Sequence, residues 1–415
     1  MGSKYYESKN NLESLLSQNL HNVEIIYVND GSVDNTEDIL RSAEKKNSQI
    51  KVVSLSENRS ASYARKVGFE QSKGDYVWFI DVDDKVAENA IEYLLTYIKR
   101  YSVDILHFNT KIIDCGAGTR RCNDKAEFDK PNLKRLENEK ILEDCFIEKH
   151  HGFNLWNKVF SHNVCEQAMA HLEVGKFLKA NDLYLYFLIA FFAQSYQGID
   201  SKIFYYYSYG SGSTGHDIFN HEQFLLICQE YEVLCALERF CNRNYKKEAK
   251  SALFYVRCRV LNDCIVAWKR RISKKDKKEE FFYLLNYIGV TNMIFAINLT
   301  YYNDLDSIIA DINDSELFKR KENINNNVAL FIPDKCKIVW NIVKDKAQEL
   351  KKRNYNVILI TDDEECENYF NNDFNTFIIQ KSDKGNELFY ERVNKLFYIL
   401  KNKKIKKMFY INYMA

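Results

Sequence analysis

The chain has 415 residues, 46% of them hydrophobic, too many for one ordinary core, so two or three domains are expected. Lys and Arg number 59 against 58 Asp and Glu, and a net charge of +1 argues against a dedicated nucleic-acid binder, whose affinity rests on clustered positive charge. Eleven cysteines without any C-x-x-C pair give a zinc or redox site no support, and no apolar run reaches the ~18 residues that span a bilayer.

Residues 1–110 alternate between helical and strand patterns. Leu12, Leu15, Leu16 and Leu20 share one helical face. Residues 23–28 form a short apolar strand. Asp34 is placed to cap the next helix, with Glu37 closing a capping box. A strand at 52–55 follows, and then Ala61, Ala64, Val67 and Gly68 make a small-residue stripe suited to close packing on a sheet. Residues 76–80 read as a strand buried on both faces. Ala87, Ala90, Ile91, Leu94, Leu95 and Ile98 form a helical stripe, and 103–108 is a strand again. The alternation predicts an α/β fold, a mostly parallel sheet flanked by helices. Residues 1–220 are expected to form that domain, 221–317 a helical region, 318–327 a polar linker, and 328–415 a small second α/β unit.

In open α/β sheets ligands gather beyond the carboxyl ends of the strands. Two polar clusters stand at such ends: Asn29, Asp30, Gly31 and Ser32 after the first strand, and Asp81, Val82, Asp83 and Asp84 after the strand at 76–80. A carboxylate there can accept bonds from a base or ribose. An acid-x-acid pair can hold a hard divalent cation whose other ligands are diphosphate oxygens. The plainer readings are a simple turn at 30–32 and a strand end that caps the next helix at 81–84. His150, His151 and His162 lack a third metal ligand at suitable spacing and are expected to be structural or exposed. The basic run from Lys269 to Lys278 reads as a solvated helix end, with peripheral contact to anionic lipid as the alternative.

Residues 23–36, containing Asn29, Asp30, Gly31 and Ser32, resemble the uridine-binding segment of the family-2 glycosyltransferases. Glu57 and Asn58, followed by Ala64, Arg65, Lys66, Val67 and Gly68, are similar to that family's next block. Residues 74–84 resemble its metal-binding Asp-x-Asp strand. The three blocks stand in the family's order over residues 4–110, with weaker traces to about 215. Among those traces, 154–160 is similar to a tryptophan-containing segment near the acceptor site. Residues 179–182 resemble the motif that supplies the catalytic base, and 205–214 the Tyr-rich segment after it.

The resemblance implies a GT-A fold and a UDP-sugar donor held by Asn29, Asp30, Gly31, Ser32, Arg65, Asp81, Val82 and Asp83. It implies Mn2+ or Mg2+ on Asp83, Asp182 as the base, and Trp156 and Lys158 on the acceptor side, with His216 as a weaker candidate near the diphosphate. The implied reaction is an inverting transfer to a glycan or lipid-linked hydroxyl. Its implied setting is bacterial surface-polysaccharide synthesis, such as capsule or lipooligosaccharide, in the cytoplasm and at most peripheral to the inner membrane.

The chain departs from that pattern in several places. The family's first strand, ending Pro-x-Tyr-Asn, has no counterpart before the first helix, so the chain reads as truncated there. Asn29, Lys66 and Asn181 stand where Asp, Asn and Glu are usual. Two alternatives follow. One is an inactive or weakly binding truncated glycosyltransferase paralogue with an assembly role. The other is a haloacid-dehalogenase-like phosphatase, although Lys85 stands where such enzymes favour Thr or Val.

Overall fold

The structure is a computed structural model that describes residues 3–173, 175, 177–210, 218–244, 246–301, 327–332, 337–353, 355–361, 369–370, 375–378 and 405–410. The expected linker, apart from residue 327, lies outside the described residues, as do His216 and the end of the 205–214 segment. The chain divides into two compact units, Met1–Asp217 with Leu225–Arg257, and Ile218–Phe224 with Cys258–Ala415.

The first unit opens with α1 (Ser3–Leu16), β1 (Ile25–Asn29), α2 (Thr36–Lys46), β2 (Ile50–Ser54) and α3 (Ala61–Gln71). β1 and β2 form a parallel two-stranded sheet, with Ile25 opposite Ile50. The small-residue stripe acts as expected: a Cβ added at Gly68 on α3 would lie 3.2 Å from Val28 Cγ2 on β1. The expected capping box does not form. Asp34 accepts the Thr36 N–H at 3.1 Å, while Glu37 accepts from Ser54 Oγ at 2.6 Å. A fixed partner on β2 draws Glu37 away from the helix end.

The chain continues with β3 (Tyr76–Trp78), β4 (Lys85–Val86), α4 (Ala90–Tyr101), β5 (Ile105–Phe108), β6 (Thr110–Asp114), α5 (Thr119–Asp129), β7 (Leu136–Glu137) and α6 (Lys140–Leu142). α6 runs on as a π-helical turn, Glu143–Glu148. Then come β8 (Lys158–Ser161), α7 (His162–His171), α8 (Asn181–Phe192), β9 (Ser195–Ile199) and β10 (Tyr205–Tyr209). The central sheet has the order β3-β8-β5-β9-β7, and a smaller one the order β4-β10-β6. The α/β class with helices on a central sheet is as expected, but the sheet is mixed. β8 inserts antiparallel between β3 and β5, and β5 pairs with β9 in parallel. One core joins β1 and β2 to the central sheet through Ile25, Val52, Leu106, Val159 and Trp156. α8 is apolar on every side and is buried from Leu183 to Phe191, as such a helix must be.

α9 (His221–Cys228), α10 (Glu230–Arg243), α11 (Lys247–Arg271) and α12 (Lys277–Tyr301) make up the helical region, and α12 breaks at Gly289, where φ is 79°. The division into units cuts this region twice, between Phe224 and Leu225 within α9 and between Arg257 and Cys258 within α11. The second unit carries β11 (Asn327–Ile332), β12 (Asn356–Thr361), β13 (Asn375–Ile378) and β14 (Ile405–Tyr410), all parallel, in the order β13-β12-β11-β14. The helix Lys337–Lys352 packs Trp340, Val343, Ala347 and Leu350 against Val357 and Leu359.

Candidate active site

Asn29, at the end of β1, is 4% exposed. Its Oδ1 accepts the Ser32 N–H at 3.0 Å, so it shapes the turn. Asp30 next to it accepts the N–H groups of Arg59 at 2.8 Å and Ser60 at 3.1 Å, tying the end of β1 to the loop before α3. Gly31, at φ +68°, is where these loops touch. A Cβ there would come 2.7 Å from Asn58 N, so only glycine permits the approach. The turn expected as the plain reading of 30–32 is therefore present, and it holds α3 in place.

α3 carries Arg65, on which two distant carboxylates converge. Nη2 donates to Asp81 Oδ1 at 3.1 Å, and Nη1 lies 2.8 Å from Asp182 Oδ1, an ion pair off the angle of a hydrogen bond. The Arg65 side chain is 13% exposed, against 34% for Asp81 and 24% for Asp182. The two carboxylates keep the guanidinium charged against the opposing effect of burial. Burial pushes the Asp81 carboxyl upward against the pull of Arg65, and Asp182 and Asp83 add to that push. Asp83 is exposed, and among the described residues its carboxylate has no hydrogen-bond or ion-pair partner. Two carboxylates thus share one guanidinium and the Asp83 charge adds to that of Asp81, a surplus of negative charge that suits a cation.

Asp84, which the sequence marked only as part of a strand end, holds the 81–84 turn. It is 1% exposed and accepts from Tyr205 Oη at 2.8 Å and from the Ser208 N–H at 2.7 Å. Tyr205 Oη in turn receives the Asp81 N–H at 3.1 Å. Asn11 on α1 donates to the carbonyls of Asp81 and Asp84. Burial pushes Asp84 up to about 8. Asp182 opens α8, and its neighbour Asn181 accepts from Ser62 Oγ on α3, which fastens the starts of the two helices together. No local spacing signals the Asp84 or Ser62 contacts.

The acceptor-side expectation for Trp156 and Lys158 needs correcting, because neither has surface to offer. Trp156 is 2% exposed and stacks between Tyr205 at 5.3 Å and Tyr207 at 4.4 Å. Lys158 is fully buried, donates to Asn154 O and Asn157 Oδ1 at 2.7 Å, and is pushed by burial down to about 7. His162 rests on Phe69, and buried His151 bonds Asp144 and Tyr186. Asp144 and Glu148 each bring a carboxylate oxygen, and His150 a ring nitrogen, within 4.8 Å of one another. Asp144 already accepts from Asn132 as well as both histidines, so the group reads as a polar network. In the basic run, Lys277 is 8% exposed and donates to Lys269 O at 2.6 Å, which leaves Arg270, Lys274, Lys275 and Lys278 exposed. No helix among the described residues is long and apolar enough to cross a membrane.

The family model described as Glycosyl transferase family 2 matches residues 9–160. This part of the chain belongs to that family. The family-2 region contains Asp30, Arg65, Asp81 and Asp83; Asp182 lies beyond the match. EpsH of Bacillus subtilis is 28% identical over 197 residues, covering 47% of this chain and 55% of its own. The minor teichoic acid biosynthesis protein GgaB of the same organism is 29% identical over 147 residues, covering 33% of this chain and 16% of its own. The chain thus spans about half the length of EpsH and less of GgaB. Residues 1–349 of S. aureus TarS, solved with UDP, superpose with a TM-score of 0.51 at 15% identity over 75% of this chain and 86% of that one, a likeness of fold.

Proposed function

We propose that the chain is a glycosyltransferase that takes a sugar from a UDP-sugar and passes it, with inversion, to a hydroxyl of a bacterial cell-surface polymer. The observation that carries this reading is Arg65, which brings Asp182 beside the Asp81 end of the family-2 region. The UDP bound by TarS and the teichoic acid role in GgaB's name support the donor and the polymer.

In this reading Asp81 accepts from the ribose, and the loop fixed by Asp30 and Gly31 flanks the base. Asp83 suits a divalent cation, since a hard, exposed carboxylate without a protein partner is the ligand such ions take alongside diphosphate and water. Mn2+ or Mg2+ held there would offset the charge growing on the diphosphate. Asp182 takes the proton of the acceptor hydroxyl. The freed oxygen bonds to the anomeric carbon while the bond to the diphosphate breaks, and its electron pair leaves with UDP. Asp81 is held by Arg65, which does not favour its use as a phosphatase nucleophile. Any contact with anionic lipid falls to Arg270, Lys274, Lys275 and Lys278.

Calorimetry with UDP and Mn2+ tests the donor site. Binding that Asp83→Ala weakens is expected. A folded wild-type protein that takes up no UDP at millimolar concentration would leave the weakly binding paralogue as the better account.

A further inference from the structure

Beside the Ser62–Asn181 bond lies a narrow cleft lined by Ser62, Tyr63, Lys66, Leu172, Glu173 and Gly175, with about 160 Å3 of empty space counting its open mouth. It borders the start of α8, since its lining residue Ser62 bonds Asn181, the residue before Asp182. The cleft has two charged side chains, and only one of them is compensated. Glu173 is forked by Arg239, with Nε at 3.1 Å and Nη2 at 2.5 Å from its two oxygens. Lys66 is half-buried and has no hydrogen-bond or ion-pair partner among the described residues. Tyr63 is occupied from outside by the Arg59 guanidinium, 4.2 Å from its ring centre. The cleft therefore presents one uncompensated ammonium close to Asp182, and an ammonium in partial burial draws an anion to complete it. It leaves no interior room even for a water molecule, so a charged group can only rest on its open rim beside Lys66.

We propose that this cleft reads a negatively charged substituent of the acceptor, a phosphate or a carboxylate, next to the hydroxyl that Asp182 deprotonates. Lys66 is then a specificity-determining residue. The inference rests on the donor-site and base assignments above.

The test uses the full chain with UDP and Mn2+ present, and titrates glycerol 3-phosphate, glucuronate and neutral glycerol into wild type, Lys66→Gln and Lys66→Arg. A charged probe should bind where glycerol does not. Lys66→Gln should bind it about tenfold more weakly and Lys66→Arg nearly as well as wild type. UDP affinity should stay within about twofold of wild type, as expected of a group that serves only the acceptor. The better of the two charged probes identifies phosphate or carboxylate. Equal binding by wild type and Lys66→Gln overturns the proposal, as does failure of both charged probes on a wild-type protein that binds UDP. A fall in UDP affinity in Lys66→Gln assigns Lys66 to the donor and overturns it too. Failure of the wild type to bind UDP sinks the donor-site reading itself, and this inference with it.

Discussion

Arg65 Nη1 lies 2.8 Å from Asp182 Oδ1, and the same guanidinium holds Asp81. One cation from α3 thus joins the end of β3 to the start of α8. Removing it leaves two facing carboxylates uncompensated in a partly closed site. Arg65→Gln is expected to lower stability by about 2 kcal/mol and to weaken UDP binding. Thermal melting and UDP calorimetry on the same preparation check both parts.

Asp182→Asn keeps the shape of α8 but removes the proton acceptor. Transfer should fall by roughly 10²–10⁴-fold, the usual contribution of a general base. UDP affinity should change little. A transfer assay with unchanged turnover would remove Asp182 from the mechanism.

Asp83→Ala should abolish the part of UDP affinity that depends on Mn2+ and spare the metal-free part. Titrations with and without the metal separate the two, and equal loss in both would point to a general disturbance of the 81–84 turn.

Asp84 gives a pH signature. Burial raises it from the ordinary 3.8 to about 8. Between those values the unfolded chain has lost this proton while the fold retains it, so stability falls as pH rises. The group's contribution is fully present below the lower value and gone above the higher, with a slope of up to about 1.4 kcal/mol per pH unit. Asp84→Asn should flatten that slope in melting curves taken across the range, and should melt higher than wild type at the alkaline end.

Gly31→Ala tests the loop contact. Its φ of +68° and the 2.7 Å approach to Asn58 N leave no room for a methyl group. A loss of about 1–3 kcal/mol is expected, with weaker UDP binding because the Asp30 turn must move.

The strand ends at Asn29 and at the 81–84 cluster were legible in the sequence because short apolar runs stop there and polar residues begin. The packing stripe through Gly68 was legible for a similar reason, since small residues at helical spacing announce a close approach. The direction of β8 was not legible, because an apolar run of that length pairs either way until its neighbours are placed. The burial of Trp156 and Lys158 was hidden for the same cause: it depends on Tyr205, Tyr207 and Tyr186 arriving from other segments. Asp30 could be placed near the site but not given its partners. Its oxygens go to backbone N–H groups, which carry no residue-specific signature.

Trp78 donates its indole N–H to Trp156 O at 2.7 Å and lies 6.0 Å from the Tyr205 ring, whose hydroxyl receives the Asp81 N–H. The sequence holds 4 tryptophans, and the other two, Trp268 and Trp340, belong to the second unit. The first unit therefore has a built-in optical probe wired to the aspartate turn. A change in indole emission on adding nucleotide would report occupancy there without any dye or label, and Trp78→Phe and Trp156→Phe would divide the signal between the two indoles.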